Sequence, residues 1–530
     1  MTNRENQALV PLDQVEAQGQ KDQPWLQIGD QEIYILSPLY RLRNSKSKHV
    51  MLRGAFSLPA EWVHRATSVV LALCNGKRTV ADIARITRPL VKIADDAKAI
   101  EVAKANVKCI IHTMRQTVEE RVGQPRKPSE FQAPTVLIAK ADHDRIFGHT
   151  KFMHVEYRAK DFLPKDLSET GPMSLPPPRE YAPASLTWHF TSECSNDCRY
   201  CYLGRRKIRP LPKERTLSLI EEAAALDVME IQIAGGDFLL YPHLEDVLAA
   251  LCRHKFLPAT IYTKSFLSKE KAKLLAETAS VIFNVQFSID STVGNVADYL
   301  VRTKGFCSRI FKSIDNALEA GLRVETKTVI TPYNILTIPK LYRDLKKRGV
   351  SYIRLAAYRR SAFHHSDDLF NHPASFQWLE EQVKQLQQEF PDDDIHIQNG
   401  APQLGPLSLE VRQKAWPTRP RCRSGRGSMM ICTDGKVIPC EQMPETEEYF
   451  CGDVSYQSIQ EVWDGDRLRE LTYGVPREKF KGQPCYDCEE WDECVNQKGN
   501  CIRDLAKYYG SIYLPPPECP KHDRGFIRTV

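Results

Sequence analysis

The stretch Thr191-Ser-Glu-Cys-Ser-Asn-Asp-Cys-Arg-Tyr-Cys-Tyr-Leu-Gly204 sets Cys194, Cys198 and Cys201 in the spacing C-x3-C-x2-C. The segment before it, Leu186-Thr-Trp-His-Phe190, alternates and is rich in aromatic and β-branched residues, so it reads as a strand. A strand that runs into a tight loop bearing three thiols gathers three soft ligands at one point. Three thiolates suit an iron–sulfur cluster, which ordinarily takes four. A site one ligand short leaves an iron open to something other than protein. A zinc knuckle, or three unrelated buried cysteines, are the alternatives to this reading.

Cysteine usage along the whole chain bears on that choice. The 530 residues include 16 cysteines. The first stretch, to about Gly29, is polar and lacks the apolar region of a signal peptide. No run approaches the roughly 18 apolar residues of a membrane helix. A cytoplasmic location and no membrane partner are therefore expected, and there cysteines serve metals or redox chemistry rather than disulfides. Six of them, Cys74, Cys109, Cys252, Cys307, Cys432 and Cys451, stand outside ligand spacings, and most of these read as core thiols. A net charge of +6 permits an acidic partner, but no Lys/Arg block resembles a nucleic-acid arm, so no nucleic acid is expected.

The length implies two to four domains. Residues 1–30 read as a flexible N-terminus, and 31–123 as an α+β module. In that module Ile33–Leu36 and Val50–Leu52 are strand candidates, and Leu58-Pro-Ala-Glu-Trp62 opens a helical run continuing from Ala66 to Cys74. Asn75-Gly76 would stop that helix, Thr79 would cap a second, and Ala94 to Arg115 would form a third. Residues 124–184 read as a Pro-rich connecting region holding one apolar run, Pro134–Ile138, with His143, His149 and His154 as ordinary surface histidines.

From 185 to 405 strands and helices alternate. The strand candidates are Leu186–Phe190, Met229–Ile233, Ala259–Thr263, Val281–Ser288, Arg323–Ile330 and Tyr352–Tyr358. Six β-α repeats imply parallel strands, in an open barrel or a doubly wound sheet. In barrels the working groups stand at the C-terminal strand ends, and polar motifs fall there: Ala234-Gly235-Gly236-Asp237, Gln286-Phe-Ser288-Ile-Asp290, and Glu325-Thr-Lys327-Thr-Val-Ile-Thr331 with Asn334. Each could also be a plain strand-end turn. From 406 to 530 the texture is short segments, turns and cysteines: Cys422, Gly435, Cys440, then Cys485-x2-Cys488-x5-Cys494-x6-Cys501, and Cys519.

In this order the motifs closely resemble the radical S-adenosylmethionine (SAM) enzymes with a SPASM extension. The resemblance implies an α/β fold with a six-stranded partial (β/α)6 barrel core, an N-terminal winged-helix-like module and an irregular cysteine-rich C-terminal domain. It implies three 4Fe–4S clusters. Cys194, Cys198 and Cys201 would hold one whose open iron binds SAM. Cys485, Cys488, Cys494 and Cys519 would hold a complete auxiliary cluster; Cys422, Cys440 and Cys501 the other, with Cys432 or Cys451, or substrate, as its fourth ligand. The family gap before Cys501 is x3 where this chain has x6, and the family has G-G-E where this chain has Asp237. Tyr200, Gly235, Gly236, Asp237, Ser288, Asp290 and Lys327 would lie around SAM. Glu441 takes the place of an aspartate that acts as base in the related sulfatase-maturing enzymes; a solvated surface acid is the alternative.

The run Ala66-Thr-Ser-Val-Val-Leu-Ala-Leu-Cys-Asn-Gly-Lys-Arg-Thr-Val-Ala-Asp-Ile-Ala-Arg-Ile86 resembles the PqqD-like fold, which takes the leader of a precursor peptide as an added strand. Together the resemblances imply a maturase that uses a 5′-deoxyadenosyl radical to install an oxidative cross-link in a ribosomally made precursor peptide. A one-electron reductant such as flavodoxin or ferredoxin would serve it. Oxidation of a protein substrate, epimerisation, backbone excision, or a non-catalytic cluster or zinc protein with a DNA-binding winged module are the alternative readings.

Overall fold

The computed structural model describes residues 24–44, 49–54, 60–115, 135–147, 155–163, 179–204, 207–361, 363–398, 408–419, 421–441 and 443–521. They fall into two compact units, one within Asn3–Pro177 and one within Pro178–Val530.

The first unit has strands β1 (Ile33–Leu36), β2 (Tyr40–Asn44), β3 (His49–Gly54), β4 (Ala60–His64), β5 (Asn75–Thr79) and β6 (Leu137–Ala139), and helices α1 (Arg65–Leu73), α2 (Val80–Thr87), α3 (Asp96–Arg115) and α4 (Lys140–Phe147). The strands make two small antiparallel sheets, β5-β1-β6 and β2-β3-β4. Thr79 caps α2 reciprocally with Asp82. Helix α3 buries Ala99, Ala103, Val107, Ile111 and Met114, a single stripe at helical spacing.

Three expectations change here. Ala60–Trp62, expected to open a helix, is strand, because pairing with β3 (Val50 opposite Val63, Met51 opposite Trp62) outweighs local helix propensity. Helix α1 starts only at Arg65, where the His64 ring accepts the Ala66 N–H at 3.1 Å. Part of the apolar run 134–138, expected in a connector, builds β6 and pairs with β1, Ile138 opposite Ile35. His143 is buried rather than superficial, beside Asp144 and the Phe147 ring. His149 and His154 lie outside the described residues.

In the second unit all six expected strands form: β7 (Ser185–Thr191), β8 (Glu230–Gly235), β9 (Ala259–Thr263), β10 (Ile282–Ser288), β11 (Val324–Ile330) and β12 (Tyr352–Ala357). Between and after them run α5 (Lys213–Ala225), α6 (Leu244–Cys252), α7 (Lys269–Glu277), α8 (Gly294–Val301), α9 (Phe306–Glu319), α10 (Ile338–Lys347) and α11 (Pro373–Glu389). The neighbours in each ladder are parallel, β7 with β8 and β9 through β12, the mark of an α/β partial barrel. Val285 and Phe287 of β10 are fully buried in the apolar layer, while Asn284, Gln286 and Ser288 share the other face, as the strand period of two requires.

The cysteine-rich segment is less irregular than expected. Its strands β14 (Ser428–Ile431), β15 (Lys436–Ile438) and β16 (Gly452–Asp453) join the barrel wall in the order β16-β15-β14-β7-β8. On the other side β13 (Ile397–Gln398) extends β12. Strand β14 runs parallel to β7, Ser428 opposite Ser185 and Ile431 opposite Trp188. Arg179, just before β7, donates to Gly425 O at 3.0 Å and lies over the Trp463 and Tyr473 rings, so the start of the barrel is gripped by its end. Helices α12 (Leu409–Thr418), α13 (Ile459–Asp464), α14 (Asp466–Thr472) and α15 (Ile502–Tyr509) complete the segment.

Candidate active site

The loop with Cys194, Cys198 and Cys201 leaves the C-terminal end of β7 and is seated on the end of β8. Gly236 N–H donates to Thr191 O at 2.8 Å and Asp237 N–H to Glu193 O at 2.7 Å. A Cβ at Gly236 would lie 2.1 Å from Glu193 O, and one at Gly235 (φ +109°) 2.6 Å from Thr191 O. The glycine pair is therefore needed for backbone to meet backbone at this point.

Asp237 faces the opposite way. Its buried carboxylate accepts the Thr263 hydroxyl at 2.8 Å, the Lys264 and Ser265 N–H groups at 2.9 Å each, and Leu239 N–H at 3.2 Å. These bonds tie the end of β8 to the end of β9. The turn they hold then carries the cysteine loop, through Ser195 Oγ to Ser265 Oγ (2.9 Å) and Asn196 Nδ2 to Lys264 O (3.2 Å). Helix α8 supports the same loop by Asp197 N to Val301 O and Arg199 N to Leu300 O, and Ser361 Oγ donates to Cys201 O at 3.0 Å.

The three thiols are electrostatic neighbours. Burial pushes the Cys198 thiol up to about 12, the Lys264 ammonium opposes it, and Cys201 and Cys194 add to it. A cluster iron takes thiolates, so loading this loop would release protons. Three soft donors on one gripped loop fit a cluster with one open iron.

Tyr200, between Cys198 and Cys201, donates its hydroxyl to Asp290, which also accepts Val329 N–H at 2.9 Å. Asn334 Nδ2 secures this strand end by donating to Asp290 O at 2.7 Å and Val329 O at 2.9 Å. Ser288 stands opposite Lys327, and Gln286 opposite both Tyr262 and Glu325. Glu325 pairs with Arg354 and accepts Asn284 Nδ2 at 2.5 Å. Burial, with Arg354 second, lowers the pKa of Lys327. Tyr200, Ser288, Asp290 and Lys327 thus stand together at the strand ends, whereas Gly235 and Gly236 pack against the cysteine loop and the Asp237 carboxylate turns to the end of β9. Lys264, Arg354 and Glu325 belong to the same network. Only Glu325 and Lys264 stood in strand-end runs that the sequence could have flagged.

Glu441 is not a solvated surface acid. It is partly buried, hydrogen-bonds the Tyr202 hydroxyl, and acts electrostatically on Lys327 and Tyr262. The residue after Cys440 therefore addresses the polar interior of the barrel.

In the cysteine-rich segment Cys485, Cys488, Cys494 and Cys519 line one cavity together with Trp416 and Trp491. Arg419 donates to Cys494 Sγ at 3.4 Å, and Arg412 to Cys519 O at 2.9 Å. Four thiols at one cavity fit a complete cluster. Among the described residues no three Cys, His, Asp or Glu side chains group as ligands of a single ion; a four-iron cube needs no such group, because each thiolate binds a separate iron. Cys422 N donates to Lys498 O at 2.9 Å, and Arg503 feels the charges of both Cys501 and Cys440, which brings the other three cysteines into one region. The long gap before Cys501 is occupied by a π-helical turn, Asp492–Lys498, ended by Gly499 at φ +77°. Cys432 and Cys451 are buried in the apolar core.

Against this geometry the sequence matches two family models, the Radical SAM superfamily over residues 188–347 and the SPASM iron–sulfur cluster-binding domain over residues 422–489. The chain is a radical SAM enzyme with a SPASM domain. A radical SAM 4Fe–4S cluster, SAM and auxiliary SPASM clusters are accordingly its cofactors. It is 22% identical over 361 residues to the PqqA peptide cyclase of Gluconobacter oxydans, covering 66% of this chain and 94% of that one. It is 26% identical over 355 residues to the mycofactocin maturase MftC of Mycolicibacterium smegmatis, covering 64% and 83%. The radical SAM SPASM fold extends to Streptococcus suis SuiB, solved with its precursor peptide SuiA, at TM-score 0.57 and 15% identity over 93% of this chain and 99% of that one. Among the described residues no helix is long and apolar enough to cross a membrane.

Proposed function

We propose that the enzyme is a peptide maturase that binds a ribosomally made precursor peptide and installs an oxidative cross-link, carbon–carbon or carbon–heteroatom, in it. The observation that carries this reading is a separate N-terminal unit whose strand β4 is, among the described residues, the outer strand of its sheet, paired to β3. An outer strand offers a row of main-chain donors and acceptors to an extended segment. The similarity to a PqqA peptide cyclase and a mycofactocin maturase supports the same substrate class.

In this reading Cys194, Cys198 and Cys201 hold the SAM-binding cluster, with Tyr200, Gly235, Gly236, Asp237, Ser288, Asp290 and Lys327 shaping its surroundings. Cys485, Cys488, Cys494 and Cys519 hold one auxiliary cluster and Cys422, Cys440 and Cys501 another, three in all. The cluster and SAM, once bound, supply a radical that removes a hydrogen atom from an unactivated C–H bond. The polar barrel face orients the target residue and excludes water. Glu441 takes the second substrate hydrogen as a proton on its carboxylate, and auxiliary clusters held by the SPASM cysteines would accept the remaining electron. A one-electron reductant of the flavodoxin or ferredoxin class starts each cycle.

The test is anaerobic turnover with SAM, reductant and each short peptide encoded beside the gene, read by mass spectrometry. One peptide should lose two hydrogen atoms for each 5′-deoxyadenosine formed. Deoxyadenosine without change in, or binding of, any peptide would overturn the reading.

A further inference from the structure

The side chain of one buried lysine beside the cysteine loop has no part in the function proposed above. Lys264 follows β9 directly, and its side chain is 13% exposed. Its ammonium donates to the Tyr200 hydroxyl at 2.6 Å and to Asp290 Oδ2 at 3.0 Å, the oxygen that also receives the Tyr200 hydroxyl. It lies 5.0 Å from the centre of the Tyr200 ring and 5.8 Å from that of Phe306. Its carbonyl receives Asn196, its amide is held by Asp237, and the adjoining Ser265 meets Ser195. One residue thus grips the cysteine loop by both main chain and side chain.

A buried lysine is expensive to desolvate, and one carboxylate with one phenol is a modest return for it. Its location suggests what else it does. Burial works against the charge of Lys264, but Asp290 and then Cys198 and Cys194 outweigh it and hold its pKa above the ordinary value. The ammonium reaches the Tyr200 hydroxyl and Asn196 reaches the Lys264 carbonyl, so the charge lies against the loop that carries the three cysteines.

We propose that Lys264 is a positioning residue for the SAM-binding cluster: it fixes Tyr200 and the Cys198–Cys201 half of the loop, and its fixed positive charge favours the reduced state of the cluster held there. Reduction adds one electron from the external one-electron reductant, and a nearby cation stabilises the added negative charge. The proposal rests on Cys194, Cys198 and Cys201 being the ligands of that cluster.

The test is a redox titration of the anaerobically reconstituted full-length enzyme, following the paramagnetic resonance signal that added SAM shifts. At equal iron content, Lys264→Met should lower the ratio of reduced to oxidised cluster at least about tenfold at fixed solution potential, equal to about 59 mV for one electron. Lys264→Arg should restore it to within about threefold. A Lys264→Met midpoint equal to the parent's overturns the proposal. If Lys264→Met takes up no iron, Asp290→Asn carries the test. It leaves the ammonium without its counter-charge and should raise the ratio; no rise overturns the proposal. A SAM-sensitive signal that survives in the Cys194, Cys198 and Cys201 triple-Ala variant would instead remove the ligand assignment beneath it.

Discussion

Gly236 has no space for a methyl group, because the carbonyl of Glu193 occupies it. The obstacle is backbone, which cannot swing aside as a flexible side chain would. Gly236→Ala should therefore displace the cysteine loop and cost one cluster, about 4 of about 12 iron atoms per chain, with the auxiliary clusters retained; iron and acid-labile sulfide counts check this. Lys327 offers a test by pH. Burial and Arg354 hold its folded pKa below the ordinary lysine value. A base depressed in this way destabilises the fold fully below its folded pKa, and the penalty disappears as pH rises to the ordinary value. Lys327→Met should then raise the melting temperature at neutral pH, and the gain should fade towards pH of about 10; scanning calorimetry across that range would show it. At this scale the sequence offers positions for a candidate site, whose roles remain to be measured. Their partners were less legible: Asp237 was readable as an acid near SAM, yet its bonds run to Thr263, Lys264, Ser265 and Leu239. A carboxylate's direction depends on the strand that folds beside it, and nothing local encodes that.

Elements with strong period were legible and short ones were not. The six barrel strands alternate or run apolar over five to seven residues, bounded by turn residues, and each forms where its pattern places it. Strand β14 has four residues, β15 three and β16 two, lengths at which no period can be read. Ala60–His64 fails differently, since its composition suits a helix and only β3 makes it a strand. The central place of β14, between β7 and β15, has an energetic consequence. Met430 is paired on both sides, opposite Thr187 of β7 and Ile438 of β15. Met430→Pro should remove a ladder bond and force φ, destabilising the second unit by about 3 kcal/mol or more. Soluble yield and the melting transition would both fall, and a wild-type melting curve would refute the central role of β14.

For the whole molecule the expected count is three clusters, about 12 iron atoms per chain. The Cys194, Cys198 and Cys201 triple-Ala variant should fall to about 8, and so should the variant lacking Cys485, Cys488, Cys494 and Cys519; the second should still cleave SAM. An unchanged count in either would remove the corresponding cluster. The boundary between the two compact units, at Pro177 and Pro178, falls within the Pro-rich run that ends in Pro183. That the tail is woven into the barrel was not legible in the sequence, because a parallel pairing between distant segments leaves no local trace. That pairing also sets a timetable for synthesis. Ser185 meets Ser428, roughly 240 residues later in translation, which at ribosomal speeds is a delay of about 10–50 s. Throughout that interval the first strand emerges with one edge bare, an invitation to pair with the wrong chain. Metal delivery before release would therefore meet an unfinished barrel, and fast overexpression should favour inclusion bodies over loaded enzyme.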